Sequence, residues 1–339
     1  MSNEVEEFKQ LLVSSKKILV TSHISPDPDA VCSVLLLGTT LKKNFPNKNI
    51  EIVLEEHPAK ALDFLDGYQQ IKFQLLQSFF STFQPELLII ADANTYDRVS
   101  RKDGAIIRNA AKMGSFKTVA IDHHQGVGRD EFAVFINNNC PATAEEVYHL
   151  LFDGLKLDKP AGYAEATMLG IISDSNRFKY ADPSYRQTFS LVSDLISAGV
   201  SIEKLENRLE RYSKGQLQAF SALIANIVDS GSGYTYSFVD ETQHKSVADD
   251  DFKLAADIFT DQFLRNFEKN DWGFIVYPEL ASGANIYGAS FRSLNGSPDV
   301  SELAAKLGGG GHKSAAGAKF EATSIEDALK KVEDIISDS

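Results

Sequence analysis

Ile18-Leu19-Val20-Thr21-Ser22-His23-Ile24-Ser25-Pro26-Asp27-Pro28-Asp29-Ala30 is the stretch on which the reading of the fold turns. An aliphatic run without polar alternation opens into a loop that carries one His and two Asp as H-x-x-x-D-x-D, and a helical pattern follows over 30–43. A strand that is apolar on both faces is buried on both faces, the condition of strands in a helix-covered parallel sheet. The same texture recurs at 50–55, 87–91, 118–121 and 133–136, with helical patterns at 59–65, 104–113 and 144–152. This alternation predicts an α/β fold with a parallel sheet, whose ligands sit at the carboxyl ends of its strands.

Outward from that core, 165–228 is mainly helical. After about 230 the texture changes, with strand patterns at 234–239, 272–277, 286–292 and 318–321, helical patterns at 252–263 and 325–336, and a glycine run at 308–311 that interrupts them. A chain of 339 residues exceeds the size at which one core stops growing. The expected layout is a catalytic domain over 1–190, a helical linker over 191–229 and a smaller α/β domain over 230–339.

Composition narrows the function. The net charge of −13 disfavours a protein that coats long duplex nucleic acid. No apolar run reaches the length of a membrane span, and the acidic, amphipathic start shows no signal peptide, so a cytoplasmic protein is expected. With only Cys32 and Cys140, a disulfide framework and a cysteine-based zinc site are not expected.

The acids and histidines fall where ligands are expected. Segment 18–22 runs into His23, Asp27 and Asp29, and segment 87–91 into Asp92. Segment 118–121 runs into Asp122-His123-His124, and the apolar segment 168–172 into Ser173-Asp174. Each alone reads as a turn former, a helix cap (Asp29 for the helix from Ala30) or a structural histidine. Five carboxylates and three imidazoles brought to one edge would repel and desolvate each other unless a cation joined them. A set without thiolate and rich in carboxylate suits Mn²⁺ or Mg²⁺, and it exceeds what one ion needs, so two ions are expected. Such a pair suits displacement at phosphorus.

Near the C-terminus, Gly308-Gly309-Gly310-Gly311-His312-Lys313-Ser314-Ala315-Ala316-Gly317 offers backbone N–H groups that an anion can approach. Arg292, in the strand before it, is suited to bidentate phosphate contact. Arg98, six residues after Asp92, is a further candidate.

Taken together, these motifs resemble the DHH phosphoesterase family, whose signature triplet is Asp122-His123-His124 here, and the glycine run resembles the signature of that family's associated C-terminal domain. Length and layout look most like the bacterial nanoRNase and pAp-phosphatase group. The resemblance implies one ion held by His23, Asp27 and Asp92, and a second by Asp29, Asp92, His123 and Asp174. It implies that Asp122 orients an imidazole, that His124 faces the scissile phosphate and that the nucleophile is a hydroxide bridging the ions. Arg292, Gly309, Gly310, Gly311 and His312 would hold the nucleotide. Short RNA, dinucleotides and pAp are the implied substrates, and a homodimer is expected. Pro28 and Cys32 stand where the family commonly has glycine, and Ser173-Asp174-Ser175-Asn176-Arg177 stands where it often has Asp-Thr-Gly. The acidic balance favours a small substrate: from Ser213 onward there are 11 Lys and Arg against 19 Asp and Glu. A dedicated pApA or cyclic di-AMP phosphodiesterase and a non-catalytic nucleotide sensor are the competing expectations.

Overall fold

A computed structural model describes residues 3–58, 61–100, 102–124, 129–179, 181, 183–209, 211–283, 285–294 and 296–337. The chain divides into two compact units, Met1–Glu210 and Arg211–Ser339.

In the first unit six strands, β1 (Lys17–Thr21), β2 (Asn49–Leu54), β3 (Ile71–Phe73), β4 (Leu87–Ala91), β5 (Lys117–Ile121) and β6 (Val134–Ile136), form one sheet in the order β3-β2-β1-β4-β5-β6, every neighbouring pair parallel. The apolar runs are continuous because alternate residues feed two cores. Leu87, Ile89 and Ala91 of β4 face one and Leu88 and Ile90 the other; Ile18 and Val20 of β1 part from Leu19 in the same way. The helices are α1 (Asn3–Ser14), α2 (Pro28–Asn44), α3 (Leu76–Phe83), α4 (Tyr96–Val99), α5 (Gly104–Lys112), α6 (Thr143–Tyr148), α7 (Tyr163–Asp174), α8 (Arg186–Ser197) and α9 (Ile202–Leu209). Residues of α1, α2, α6 and α7 line the first core, and those of α3, α4 and α5 line the second. The strand order reverses direction between β1 and β4, and the crevice at such a switch point is where doubly wound sheets take ligands.

The helix expected over 59–65 is not formed over 61–65. Residues 59 and 60 lie outside the described residues, and 62–68 forms two successive turns that seat Leu62 and Leu65 in the core. So short a segment gains too few hydrogen bonds to offset helix nucleation. β3 and α3 were not expected; β3 is an edge strand that buries only Ile71 fully. The helix expected over 144–152 is α6, continued by a wider π-helical stretch over His149–Gly154. Segment 168–172 belongs to α7, so Asp174 arrives from a helix end rather than a strand end.

The second unit contains α10 (Lys214–Ala225), β7 (Val228–Asp229), β8 (Thr235–Phe238), α11 (Glu241–Lys245), α12 (Asp249–Gln262), β9 (Trp272–Pro278), β10 (Ile286–Ser293), α13 (Val300–Lys306), β11 (Gly310–His312), β12 (Ala315–Glu321) and α14 (Ile325–Ser337). Its sheet runs β11-β12-β10-β9-β8-β7, antiparallel throughout except for the parallel pair β8–β9. Phe274 and Val276 face a core with α13 and α14, and Ile275 faces one with α10 and α12.

Segment 191–229, expected as a linker, contributes to both units: Leu191, Leu195, Leu205 and Leu209 pack in the first unit's core, and Ala219 and Leu223 in the second's. The glycine run is not an open interruption. Gly308 takes φ +78° just past the end of α13, where its N–H donates to Ala305 O and the Gly309 N–H donates to Ala304 O. This pair of bonds is a Schellman cap. Gly310–His312 then pairs with β12 as an edge strand. No helix among the described residues is long and apolar enough to cross a membrane.

Candidate active site

Three β-strand ends and one helix end supply the site. α2 begins at Pro28 because Asp27 caps it, accepting from the Ala30 N–H at 2.9 Å through Oδ1 and leaving Oδ2 3.9 Å from His23 Nε2. The cap is therefore Asp27, not Asp29. Asp29 is fully buried and instead accepts from the Thr143 and Ala144 N–H groups, at 2.7 and 2.9 Å, at the start of α6. A helix N-terminus is a favourable place for such a carboxylate.

Asp92 lies at the centre. It follows β4 in a left-handed backbone conformation (φ 59°), held there by its N–H donating to Ile121 O. Strain of this kind in a residue other than glycine collects at functional sites. Its Oδ2 is 3.2 Å from His23 Nε2, and its Oδ1 accepts from Thr143 Oγ1 at 3.0 Å. The same Oδ1 is 3.6 Å from His123 Nε2 and 3.5 Å from His124 Nδ1. Asp174 Oδ2 is 2.9 Å from His123 Nε2. Ligand atoms of three sets, His23–Asp27–Asp92, Asp92–His123–His124 and Asp29–His123–Asp174, each fall within 4.8 Å of one another. The structure thus brings together His23, Asp27, Asp29, Asp92, Asp122, His123, His124 and Asp174.

The tautomers are informative. His23 Nδ1 lies 2.7 Å from the Ile24 carbonyl, which can only accept, so this nitrogen carries the proton and the Nε2 lone pair of the neutral ring meets two carboxylates. Only a proton or a cation makes that arrangement favourable. His123 Nε2 likewise faces two carboxylates, Asp92 and Asp174. Burial opposes its charge, but Asp174, Asp29 and Asp92 overcome that and push its pKa up to about 10. Burial, with Asp92 and Asp174 beside it, pushes the Asp29 carboxyl well above the usual carboxylate range. His123 Nε2 and Asp122 Oδ2 are buried without an aligned hydrogen-bond partner among the described residues. A donor set of carboxylate and imidazole, crowded and incompletely paired, fits divalent metal ions.

Asp122, fully buried, accepts from His124 Nδ1 at 2.8 Å. Thr143, Ala144 and Gly170 were missed by the sequence reading. A Cβ on Gly170 of α7 would stand 2.6 Å from Asp29 Oδ1 and 2.4 Å from Ala144 Cβ, so this glycine makes room for the Asp29–α6 contact. The one available signal was a glycine inside an otherwise helical, apolar run.

Arg98 sits on α4, where its backbone carbonyl accepts from the Ile24 N–H, tying the two loops together. Arg177 pairs with Glu206. In the second unit Arg292 donates to Asp261 Oδ1 at 3.0 Å and to the Phe291 carbonyl, so any phosphate contact competes with an existing ion pair. A Cβ on Gly309 would meet Gly317 O at 2.2 Å, and one on Gly311 would meet Ala315 O at 2.6 Å, whereas Gly310 faces open space and His312 is exposed. Close strand packing therefore explains Gly309 and Gly311, and only Gly310 is glycine without a steric reason inside the unit.

Residues 17–171 match the DHH family, N-terminal domain, and residues 231–338 match the DHHA1 domain. The chain is 30% identical over 336 residues to the bifunctional oligoribonuclease and PAP phosphatase NrnA of Mycoplasma pneumoniae, covering 97% of this chain and 95% of that relative. The chain belongs to the DHH family. As a DHH protein it is a hydrolase acting on phosphoester bonds. It is also 23% identical over 344 residues to the cyclic-di-AMP phosphodiesterase PdeA of Listeria monocytogenes, spanning 96% of this chain but 48% of that longer protein. Among solved structures, an exopolyphosphatase-related protein from Bacteroides fragilis matches with a TM-score of 0.84 and 21% identity, over 99% of this chain and 96% of that one, a likeness of fold.

Proposed function

We propose that this DHH protein is a manganese-dependent phosphodiesterase and phosphatase that degrades oligonucleotides of roughly two to five residues and removes the 3′-phosphate from adenosine 3′,5′-bisphosphate. The observation that carries it is the sharing of Asp92 between two ligand sets, His23–Asp27–Asp92 and Asp92–His123–His124, with Asp29, His123 and Asp174 alongside. His23, Asp27 and Asp92 would hold one ion, and Asp29, Asp92, His123 and Asp174 the other. When bound, the pair supplies an activated water and neutralises charge on the phosphoryl group. The protein's own residues then do the rest. Asp122 accepts from His124 Nδ1 and fixes the orientation of the ring, so that His124, when it carries a second proton, would donate from Nε2 to the phosphoryl group. Thr143 Oγ1 and the α6 N-terminus hold Asp92 and Asp29 in place. Gly310 and His312 are the second unit's candidate contacts to the nucleotide, with Arg98 and Arg292 as candidate phosphate contacts. A homodimer and a cytoplasmic site of action go with this reading.

Similarity to the Mycoplasma relative supports the bifunctional activity. Similarity to the Listeria relative favours a second reading, a dedicated pApA or cyclic di-AMP phosphodiesterase. Turnover of pAp, pApA, pGpG and a five-nucleotide RNA by the purified protein, each with Mn²⁺ and with Mg²⁺, separates the two. Cleavage of RNA and pAp with Mn²⁺ supports the first, cleavage of dinucleotides alone the second, and no turnover of any substrate leaves a nucleotide sensor.

A further inference from the structure

A second group of metal-ligating side chains lies outside the motifs that define the family. Cys140, Glu145 and His149 each present a donor atom, all within 4.8 Å of one another. Glu145 and His149 stand four residues apart across α6 and the π-helical stretch that extends it, a spacing that puts both on one face. Cys140 is brought to the pair by the loop before α6, which Glu146 anchors by accepting from the Asn138 and Cys140 N–H groups.

The polar bookkeeping of the group is incomplete. Glu145 is 1% exposed; its Oε1 accepts from Thr188 Oγ1 at 3.0 Å, while its Oε2 is buried with no partner among the described residues. A buried acceptor left unmade costs about 1–3 kcal/mol, and more when it is charged. His149 Nδ1 is 2.6 Å from Asp153 Oδ2, which fixes the proton on that nitrogen; His149 Nε2 is 3.6 Å from Glu145 Oε1, an ion-pair distance, and Glu145, against burial and with Asp153, pushes the imidazole pKa up to about 9, so a metal would take the place of the Nε2 proton. A carboxylate behind the far nitrogen of an imidazole is the usual support of a metal-binding histidine. Burial, and then Glu146 and Glu145 beside it, push the half-buried Cys140 thiol well above its ordinary value.

We propose that Cys140, Glu145 and His149 form a zinc site, with water in the fourth position. One thiolate, one carboxylate and one imidazole suit Zn²⁺, and the thiolate and carboxylate together balance its charge. Drawing the donors onto one ion requires them to close by about 1 Å. A cavity of about 380 Å³ lies against His149, lined also by Tyr148, Asp153, Gln187 and Asp194; Cys140 and Glu145 do not line it. Two cysteines exclude a site built from several thiolates, and this one needs a single thiolate. The site would pin the loop before α6 to the helix whose first N–H groups hold Asp29, and it does not rest on the substrate assignment above.

Cobalt titration of the full-length, chelator-treated protein tests it, because a thiolate–cobalt bond gives a charge-transfer band that carboxylate and imidazole ligands do not. The band is expected in wild type, in Cys32→Ser and in Asp92→Asn, absent in Cys140→Ser, and shifted to about tenfold weaker cobalt affinity or worse in His149→Gln. Wild-type protein without the band overturns the proposal. So does a band that survives Cys140→Ser or disappears with Cys32→Ser.

Discussion

The two units are both sheets covered by helices, yet they treat their acidic residues in opposite ways. In the second unit the acids have conventional partners. Asp240 and Asp299 cap α11 and α13, Asp249 pairs with Lys253, and Asp261 pairs with Arg292. In the first unit Asp29, Asp92 and Asp122 are buried among one another and three imidazoles, and Asp122 Oδ2 and His123 Nε2 have no aligned hydrogen-bond partner among the described residues. Sheet topology makes the difference. A parallel sheet sends every strand end to one edge, so residues distant in the chain are crowded there; antiparallel strands deliver alternate ends to opposite edges. Concentrated, poorly satisfied charge suits the binding of cations, and dispersed, satisfied charge suits stability.

The sharpest way to break this contrast is Asp92→Ala. Turnover should fall by several kcal/mol of transition-state stabilisation, and the apo protein should lose some stability as well, because, against its burial, the imidazoles of His23, His123 and His124 hold the Asp92 carboxyl below the usual carboxylate range and Thr143 Oγ1 loses its acceptor. Kinetics paired with circular dichroism would decide, and activity above about a tenth of wild type would remove Asp92 from its bridging role. Metal removal should show the same asymmetry. Chelation should abolish turnover, with recovery on adding Mn²⁺, and hydrogen exchange should rise at the loops after β1, β4 and β5 and not in the second unit. Equal loosening of both units would mean that the charge crowding is not local.

Gly170→Ala sets helix propensity against tertiary contact. Propensity alone predicts a gain of about 1 kcal/mol in the middle of α7. The close approach to Asp29 predicts instead lower metal affinity and lower turnover, read by metal titration and steady-state kinetics. Gly310→Val probes the second unit, where open space at this position leaves folding intact. It should raise the KM for pAp and short RNA several-fold with metal content unchanged, and loss of metal would contradict the assignment of roles.

The smallest effect expected is a pH dependence confined to the second unit. His244 is fully buried, with Nδ1 2.8 Å from the Pro278 carbonyl, and burial lowers its pKa below the ordinary 6.5. The fold favours the neutral ring, so this contribution is complete above the unfolded value and is lost as pH falls through the lower folded value. Unfolding followed by the fluorescence of Trp272, the single tryptophan, should show declining stability from about pH 7 to about pH 5, and His244→Gln should flatten that part of the curve.

Periodicity and residue type were enough to read β1, β2, β4, β5 and β6, the α/β class, and the positions of His23, Asp27, Asp29, Asp92, the Asp122-His123-His124 triplet and Asp174. A buried strand and the acid that follows it are adjacent in the chain, so their pattern survives in one dimension. What each acid does there was decided by contacts between distant segments. Asp29 looked like the cap of its own helix and instead receives the N–H groups of residues 114 and 115 positions further on. Gly170 drew no reading from the one-dimensional pattern and is the space that this contact occupies. Gly308 and Gly309 looked like part of a cradle and terminate α13, because only the folded chain shows which carbonyls their N–H groups meet. Cys140 looked like an isolated thiol until the start of α6 folded it against Glu145 and His149. Side-chain chemistry and local period are properties of the sequence itself; hydrogen-bond partnership and close approach across the core exist only after the chain has closed on itself.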